Sequence, residues 1–361
     1  MGGNREPRGL IVGNYCHDVL IKDEVVLAET LGGAVSFISA VLDGVNITSD
    51  YVSKVGSDFA YNVNVNHSPI VSRSGKTAVF HAYFTSDPSE IRREDRVLKR
   101  VQSCGPISPS DLPDEANFNF GMAVGIEGEI SPETLEKMLD ICDVVLVDIQ
   151  ALIRDFDQID GTVKLTHLTK TPFSHLIPRI GFLKASAEEA PYVDIEEARK
   201  SCCVVVTSGK DGCTVYWKDV ELQISPFTTV QVDPTGAGDS FLGGLVAGLV
   251  HGLAVPDAAL LGNFFGSLTV EQVGLPIFDS TLMQKVKDEV QSRKMQCEKH
   301  EDGSRFKKPR DHEQFIASLS TAKLLTTDEV HDRDPGYANH QMLFHKNSVY
   351  EERIKAMDTK P

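Results

Sequence analysis

The chain has 361 residues, of which 41% are hydrophobic, and this is enough apolar material to build one large α/β core. The formal net charge of -16 at pH 7 argues against sequence-independent nucleic-acid binding and against adhesion to anionic membranes. The seven cysteines contain no Cys-x-x-Cys motif, so the sequence indicates neither a zinc site nor a disulfide framework.

Strands and helices are predicted to alternate along most of the chain. Residues 132–141 show the spacing of an amphipathic helix, and residues 143–148 form a short, buried apolar strand. The other elements predicted in this way are a strand over 9–14, a helix over 35–42, a helix over 188–201 and a strand over 203–207. Strands separated by helices indicate a mostly parallel sheet covered on both faces, with ligands bound beyond the carboxyl ends of its strands.

Two segments, residues 19–31 and 77–85, do not follow this alternation. Residues 77–85 alternate in the manner of an exposed sheet. From the residues alone, an ordinary β-hairpin insertion explains these segments as well as a small sheet that covers a ligand does.

The turn at residues 236–238 is the most informative part of the chain. It joins a β-rich stretch over 228–232 to a helix predicted over 241–250. Glycines let the backbone approach a phosphate closely, and the start of a helix presents unpaired N–H groups and the positive end of its dipole. Asp239 follows the turn, so an alcohol bound here would meet a base and a charge-stabilising pocket together. The turn therefore predicts a phosphoryl-transfer site; the alternative is that Asp239 only caps the helix.

The character of the chain changes at residues 294–361. Residues 294–315 are rich in charged side chains and poor in large apolar ones, so they bury too little surface to offset the entropy of ordering. We expect 294–361 to be a disordered tail, with at most a short helix over 315–325, and to be dispensable for the chemistry.

A family resemblance connects these features. Residues 234–241 resemble the C-terminal signature of the pfkB (ribokinase-like) carbohydrate kinases. Further segments resemble the same family in matching order, namely residues 13–18, 31–34, 54–58 and 204–212. The resemblance implies a ribokinase-like three-layer α/β/α sandwich with a mostly parallel central sheet over residues 1–293. It also implies a small β-sheet lid, built from about 19–31 and 77–85, that closes to exclude water.

The resemblance assigns a role to individual residues. Asp239 is expected to be the general base, and Glu189 to hold Mg²⁺, mostly through water. The residues expected to bind ATP and form the anion hole are Gly236, Ala237, Gly238, Ser186, Thr207, Gly209, Gly212 and Asn263. Those expected to bind the substrate are Asn14, Asp18, Gly32 and Gly33.

Four of these residues also fit simpler structural roles. Asp18 is consistent with a polar strand end, and Glu189 with a solvated charge at a helix start. Asn263 is consistent with an amide in helix packing, and Thr207 with a simple strand end.

Two positions depart from the family pattern. Phe37 and Ser186 stand where many members carry asparagine. Phe37 counts against a common furanose sugar as acceptor. Ser186 can still hydrogen-bond a phosphate or a water molecule, with a shorter reach.

The expected activity is ATP-dependent phosphorylation of a polyol hydroxyl, with Mg²⁺. Within the family, the chain most resembles the members that convert myo-inositol to inositol 3-phosphate. The alternatives are a kinase for another sugar or a nucleoside, and a non-catalytic scaffold of the same fold. We expect a cytoplasmic protein that binds no nucleic acid and no membrane, and a homodimer is compatible with the sequence.

Overall fold

An eight-stranded sheet forms the centre of the computed structural model, which describes residues 7–84, 96–114, 117–297 and 305–331. The strands in chain order are β1 (Gly9–Val12), β2 (Cys16–Lys22), β3 (Val25–Gly32), β4 (Ser49–Val52), β5 (Lys54–Gly56), β6 (Ile70–Ser72), β7 (Ala78–Phe84), β8 (Val97–Gln102), β9 (Phe120–Ala123), β10 (Val145–Asp148), β11 (Arg154–Phe156), β12 (Val163–Leu165), β13 (Phe182–Ser186), β14 (Cys203–Thr207), β15 (Cys213–Trp217) and β16 (Val220–Ile224).

The central sheet has the order β16-β15-β14-β13-β10-β9-β1-β4. The strands from β14 to β4 pair in parallel, and β15 and β16 add an antiparallel edge. Its side chains alternate between two cores: Ile11 packs into one, whereas Leu10 and Val12 pack into the other. Helices cover both faces, which confirms the predicted α/β sandwich.

The helices divide between the two cores. They are α1 (Ala34–Gly44), α2 (Pro132–Ile141), α3 (Gln150–Ile153), α4 (Ile195–Ala198), α5 (Ala237–Val250), α6 (Val255–Thr269), α7 (Ser280–Cys297) and α8 (His312–His331). Helices α5 and α6 lie very close together, because a Cβ on Gly248 would come within 2.6 Å of the Cα of Ala258. None of the helices in the described ranges is both long enough and apolar enough to cross a membrane.

A second, four-stranded sheet has the order β3-β2-β7-β8. It contains both segments that depart from the helix–strand alternation, and β8 is an additional strand that the sequence analysis did not predict. Strand β2 begins at Cys16, three residues before the predicted start, and residue 85 lies outside the described residues. We call this four-stranded sheet the lid sheet because it forms one wall of the pocket described below.

Most of the predicted elements are confirmed, but two are wrong. The predicted helix over 188–201 is reduced to a 3₁₀ turn over Ala190–Tyr192 and the single turn of α4, because Pro191 interrupts the segment and Asp194 caps a new start by accepting from the Glu197 N–H at 3.0 Å. Residues 228–232 form no strand. The Val232 N–H instead donates to the carbonyl of Val270, after α6, at 2.7 Å.

The predicted boundary at residue 293 also needs correction. Helix α7 continues to Cys297, and α8 packs on the core through Phe315 and Leu319, which are 3% and 0% exposed. The apolar side chains of α8 recur at helical spacing. The many charged residues around them made this buried face difficult to recognise in the sequence. Phe306 stacks on Trp217 of β15 with ring centroids 4.8 Å apart, so this segment also covers the sheet edge. The remaining tail residues, 298–304 and 332–361, lie outside the described residues.

Candidate active site

The glycine turn leads directly into α5. Gly236 has φ 76°, in the left-handed region, and is the residue that precedes the first helical turn. A Cβ on Gly236 would lie 2.1 Å from the ring of Phe37. Both the backbone angle and the packing therefore require glycine here. Phe37 fills the space under the turn, and this is the position where many family members carry asparagine.

The turn leaves backbone donors free at the start of α5. Within the described ranges, the N–H groups of Gly236, Gly238 and Asp239 donate to no protein atom, and the Ala237 N–H reaches the Pro234 carbonyl only at 3.4 Å. These groups lie at the positive end of the helix dipole. The start of α5 can therefore receive the oxygens of an anion.

A buried lysine strengthens this positive region. The ammonium of Lys184, in β13, donates to Asp148 at 3.0 Å, and a Cβ on Gly238 would lie only 2.8 Å from it. Burial acts to lower the pKa of Lys184, but the nearby carboxylates of Asp148 and Glu189 outweigh it, so the pKa is raised and the lysine stays charged. Without these carboxylates, a buried ammonium beside the helix N-terminus would destabilise the folded state. With them, the charge of Lys184 is retained and adds to the attraction for an anion.

Asp239 lies in the first turn of α5 and faces the same region. Its carboxylate accepts a hydrogen bond from the Gln150 side chain at 3.3 Å. Burial raises the pKa of Asp239, and the positive charges of Lys184 and Arg154 oppose that rise. A carboxylate with a raised pKa is a stronger base than one in water, and so is suited to accept a proton.

Asp18 faces Asp239 from the lid sheet. It lies within β2 and not at a strand end, and the thiol of Cys16 donates to it at 3.0 Å. Burial raises the pKa of Asp18 to about 6. A Cβ on Gly32 would lie 2.0 Å from the Asp18 carboxylate, so the neighbouring strand can approach this side chain only as glycine.

An open pocket, with about 480 Å³ of empty space that includes solvent at its mouth, lies between Asp18, Asp239 and Gly236. Its polar lining is Asp18, Arg96, Gln150, Arg154, Thr235 and Asp239, and its apolar lining includes Leu20, Phe37, Phe80, Ala82, Leu98 and Ile126. Gly33 and Gly236 also line it. Arg96, next to the start of β8, donates to Thr235 Oγ1 at 2.6 Å, so one side chain connects the lid sheet to the glycine turn.

Two residues that were predicted to bind substrate or ATP have side chains that are hydrogen-bonded to other protein groups. Asn14 is buried; its amide donates to Glu127 at 2.7 Å and accepts from the Lys54 N–H at 2.7 Å. It supports the loops behind the pocket and does not line it, so the expectation that its side chain grips the substrate is corrected. The amide of Asn263 donates to the Ser225 carbonyl at 2.9 Å, which is the helix-packing alternative left open by the sequence.

The remaining predicted ATP-side residues gather at the carboxyl ends of β13 and β14. Thr207 ends β14 and donates to the Ala185 carbonyl at 3.3 Å, and Ser186 lies opposite it in register. Glu189 and Ser186 bond reciprocally, with the Ser186 N–H donating to the carboxylate at 2.8 Å and the Glu189 N–H donating to the hydroxyl at 3.2 Å. Gly209 and Gly212 bracket the next turn with φ 52° and 83°.

Several residues that line the pocket or lie beside the glycine turn were missed by sequence reasoning. Lys184 and Asp148 are charged residues in apolar strands, and this was a usable signal because buried charges must be paired. Arg96, Gln150 and Arg154 gave no such signal, because their positions depend on how distant loops fold together. The described residues contain no cluster of three or more His, Cys, Asp or Glu side chains arranged to hold a metal ion.

Comparison with known proteins places this geometry in a family. The family model described as pfkB family carbohydrate kinase matches residues 133–281. An inositol 3-kinase of Arabidopsis thaliana is 59% identical over 321 residues, which is 89% of this chain and 89% of that protein. The chain belongs to the pfkB family of carbohydrate kinases.

Further similarities agree with the pfkB assignment. An inositol 3-kinase of Oryza sativa subsp. japonica is 47% identical over 350 residues, covering 94% of this chain and 88% of that protein. The solved nucleoside kinase of Methanocaldococcus jannaschii, an archaeal member of the ribokinase family, is 21% identical; the match covers 83% of this chain and 100% of that chain, with a TM-score of 0.59. The second similarity confirms the ribokinase-like fold. As a pfkB-family kinase, the chain is a phosphotransferase with an alcohol acceptor, and the family implies ATP as a substrate.

Proposed function

We propose that this pfkB-family kinase transfers the terminal phosphate of ATP to a hydroxyl of myo-inositol, giving inositol 3-phosphate. The observation that supports this most is the pocket in which Asp239, the free amides of the glycine turn and Asp18 face one another. The names of the plant relatives at 59% and 47% identity support the choice of acceptor.

The pocket suits a cyclitol in shape and polarity. Its apolar side chains offer a surface for the ring C–H groups, and Asp18 offers two carboxylate oxygens to neighbouring hydroxyls. Arg154 and Gln150 supply donors in the lining of the same pocket. Asn14, whose amide is already bonded to Glu127, has no part in this proposal.

In the proposed mechanism, Asp239 accepts the proton of the attacking hydroxyl. The backbone N–H groups of Gly236 and Gly238, with the ammonium of Lys184, stabilise the charge on the transferred phosphoryl group. The lid sheet covers the pocket, and Arg96 ties it to Thr235 so that water is kept from the phosphoryl group. Thr207, Gly209, Gly212 and Ser186 are proposed to lie along the nucleotide, while Asn263 holds the neighbouring loop.

Mg²⁺ is proposed to bind mainly through the ATP phosphates and water. Magnesium keeps several of its waters and needs few protein ligands. One oxygen of Glu189 is bonded to the Ser186 N–H, and the other would hold a metal-bound water. When bound, the ion neutralises phosphate charge.

An acceptor panel tests the proposal. The purified chain is incubated with ATP, Mg²⁺ and one of myo-inositol, ribose, fructose or adenosine, and the products are identified by NMR. We expect phosphate transfer to myo-inositol alone, at the 3-hydroxyl, and loss of turnover when EDTA removes the metal. Faster transfer to ribose, fructose or adenosine would overturn the acceptor, and tight ATP binding without any product would favour a scaffold. A cytoplasmic location remains the expectation for this kinase, and a homodimer is compatible with its sequence.

A further inference from the structure

The C-terminal helix α8 reaches the segment that leads to the glycine turn, residues 225–236, which we call the approach segment. Lys323 on α8 is 8% exposed, and its ammonium donates to the carbonyl of Thr228 at 3.2 Å. The same ammonium donates to Ser267 Oγ at 3.1 Å and lies 3.0 Å from a carboxylate oxygen of Glu271. One side chain therefore joins α8, the end of α6 and the approach segment.

The approach segment is held along α6 by further bonds. The hydroxyl oxygen of Thr229 lies 2.9 Å from the Ser267 carbonyl oxygen and 2.7 Å from a carboxylate oxygen of Glu271, so its one hydrogen is shared between these two acceptors. The Val232 N–H donates to the Val270 carbonyl at 2.7 Å. Lys323 and Thr229 both bond to Ser267 and to the same carboxylate oxygen of Glu271, so the two side chains are linked through these shared partners.

The last residues of the approach segment connect it to the glycine turn. Asp233 is buried; one of its carboxylate oxygens accepts from the Thr235 N–H at 2.9 Å, and the other accepts from the Gly274 N–H at 3.1 Å. Thr235 is bonded directly to Gly236. A continuous set of contacts therefore runs from α8 to the amides that face the anion site.

Helix α8 is itself firmly anchored. Asp257 of α6 is fully buried and accepts from Arg293 Nε at 2.6 Å and from His312 Nδ1 at 2.6 Å. His312 begins α8, and Phe315 follows in its first turn. The helix can therefore act as a fixed support for the approach segment and not only as a surface cover.

We propose that Lys323 is a positioning residue for the phosphate donor: through the approach segment it holds the glycine turn in the orientation that receives ATP. This inference rests on the proposed function, since it takes the turn as the phosphate site. It also assigns a role to a helix within residues 294–361, which the sequence analysis expected to be dispensable.

The test uses Lys323→Met, which keeps the length of the side chain and removes its charge and donors. We expect the Kd for ATP, measured by titration calorimetry, and the KM for ATP to rise about tenfold, because charged hydrogen bonds are lost. The KM for the acceptor should stay within about twofold of wild type, since Lys323 does not line the pocket. Lys323→Arg should restore most of the ATP affinity. Thr229→Val, which changes the approach segment itself, should act in the same direction.

Phe315→Leu is the matched control on α8. It should lower Tm but leave the ratio of the two KM values unchanged, because Phe315 packs in the core and its ring offers no hydrogen bond to the approach segment. An unchanged ATP Kd in Lys323→Met, or an equal rise in Phe315→Leu, would overturn the inference. Because ATP affinity is measured without turnover, a chain that binds ATP but phosphorylates no polyol would refute the proposed acceptor and leave this inference standing.

Discussion

Two glycines in the same turn are required for different reasons. Gly236 has a left-handed φ and lies against Phe37, whereas Gly238 has an ordinary helical angle and faces only the tip of Lys184. The first glycine is therefore a requirement of the fold, and the second is a requirement of the proposed anion site.

Replacing each glycine with alanine should separate these roles. We expect Gly236→Ala to lower the free energy of unfolding by about 1–3 kcal/mol, since its Cβ has no space and its φ is strained. Gly238→Ala should leave the free energy of unfolding within about 1 kcal/mol of wild type, because alanine favours helix, while lowering kcat/KM for ATP by displacing Lys184. Urea unfolding and steady-state kinetics measure both. Equal loss of stability in the two variants would contradict this interpretation.

Asp239→Asn tests the proposed base. The amide keeps the shape of the side chain but cannot accept a proton, so kcat should fall by about 10²–10⁴. ATP affinity and Tm should change little, as calorimetry and thermal unfolding can check. Asp219→Asn, at an exposed turn, is the control and should keep full activity. Full turnover in Asp239→Asn would remove Asp239 from the mechanism.

The pKa of Asp18 predicts a pH dependence. Burial raises it to about 6, so the carboxylate gains a proton as the pH falls through that value. A protonated Asp18 loses part of its capacity to accept hydroxyl hydrogen bonds, so kcat/KM for the acceptor should decline below about pH 6. The profile of Asp18→Asn should lack this step at lower overall activity. If the variant shows the same step, another group is responsible.

The sequence could predict the chemistry near the turn but not the whole pocket. Asp239 and residues 236–238 are adjacent in the chain, so local pattern was sufficient to place them together. Asn14 was misjudged, because only the fold reveals that Glu127, over a hundred residues away, binds its amide. Arg96 belongs to the site through a contact with Thr235 that spans 139 positions, and no local pattern encodes that distance.

Among the elements, α8 differs most from expectation. Its charged surface is typical of a solvated segment, but its apolar side chains lie on the core beside α6 and α7. Regular helices such as α2 were predictable from their own amphipathic spacing and their serine cap. The packing of α8 depends instead on contacts with α6 and α7. The sequence of α8 alone does not reveal these contacts.

Leu319→Ala measures how much α8 contributes to stability. Leu319 is fully buried, so its truncation should lower the free energy of unfolding by about 2–5 kcal/mol. Thr321→Ala, at an exposed position on the same helix, should cost less than about 0.5 kcal/mol. Urea unfolding of the two variants makes the comparison. Similar small losses would mean that α8 is not part of the cooperative unit.

At the scale of the whole molecule, the charge opposes the expected donor. The net charge of -16 repels a nucleotide, while Arg96 and Arg154 in the pocket lining and Lys184 beside Gly238 concentrate positive charge locally. The long-range field and the local field therefore have opposite signs for ATP.

Varying the salt concentration should distinguish the long-range repulsion of ATP from the local attraction in the pocket. Between about 0.01 and 0.15 M ionic strength the screening length falls from about 30 to 8 Å, which weakens the distant repulsion more than the buried contacts. We expect the association rate of MgATP, followed by stopped flow, to rise by a few fold over this range. The KM for an uncharged acceptor serves as the control and should stay constant. A rate that falls with salt would show that the local cations dominate the approach.

The stacking of Phe306 on Trp217 has a practical consequence, because Trp217 is the only tryptophan in the chain. Its indole emission reports on one place alone, the junction where the C-terminal segment meets β15. Detachment of that segment would therefore register as an optical signal in the unlabelled protein, separately from the far-ultraviolet dichroism that follows the sheet and helices.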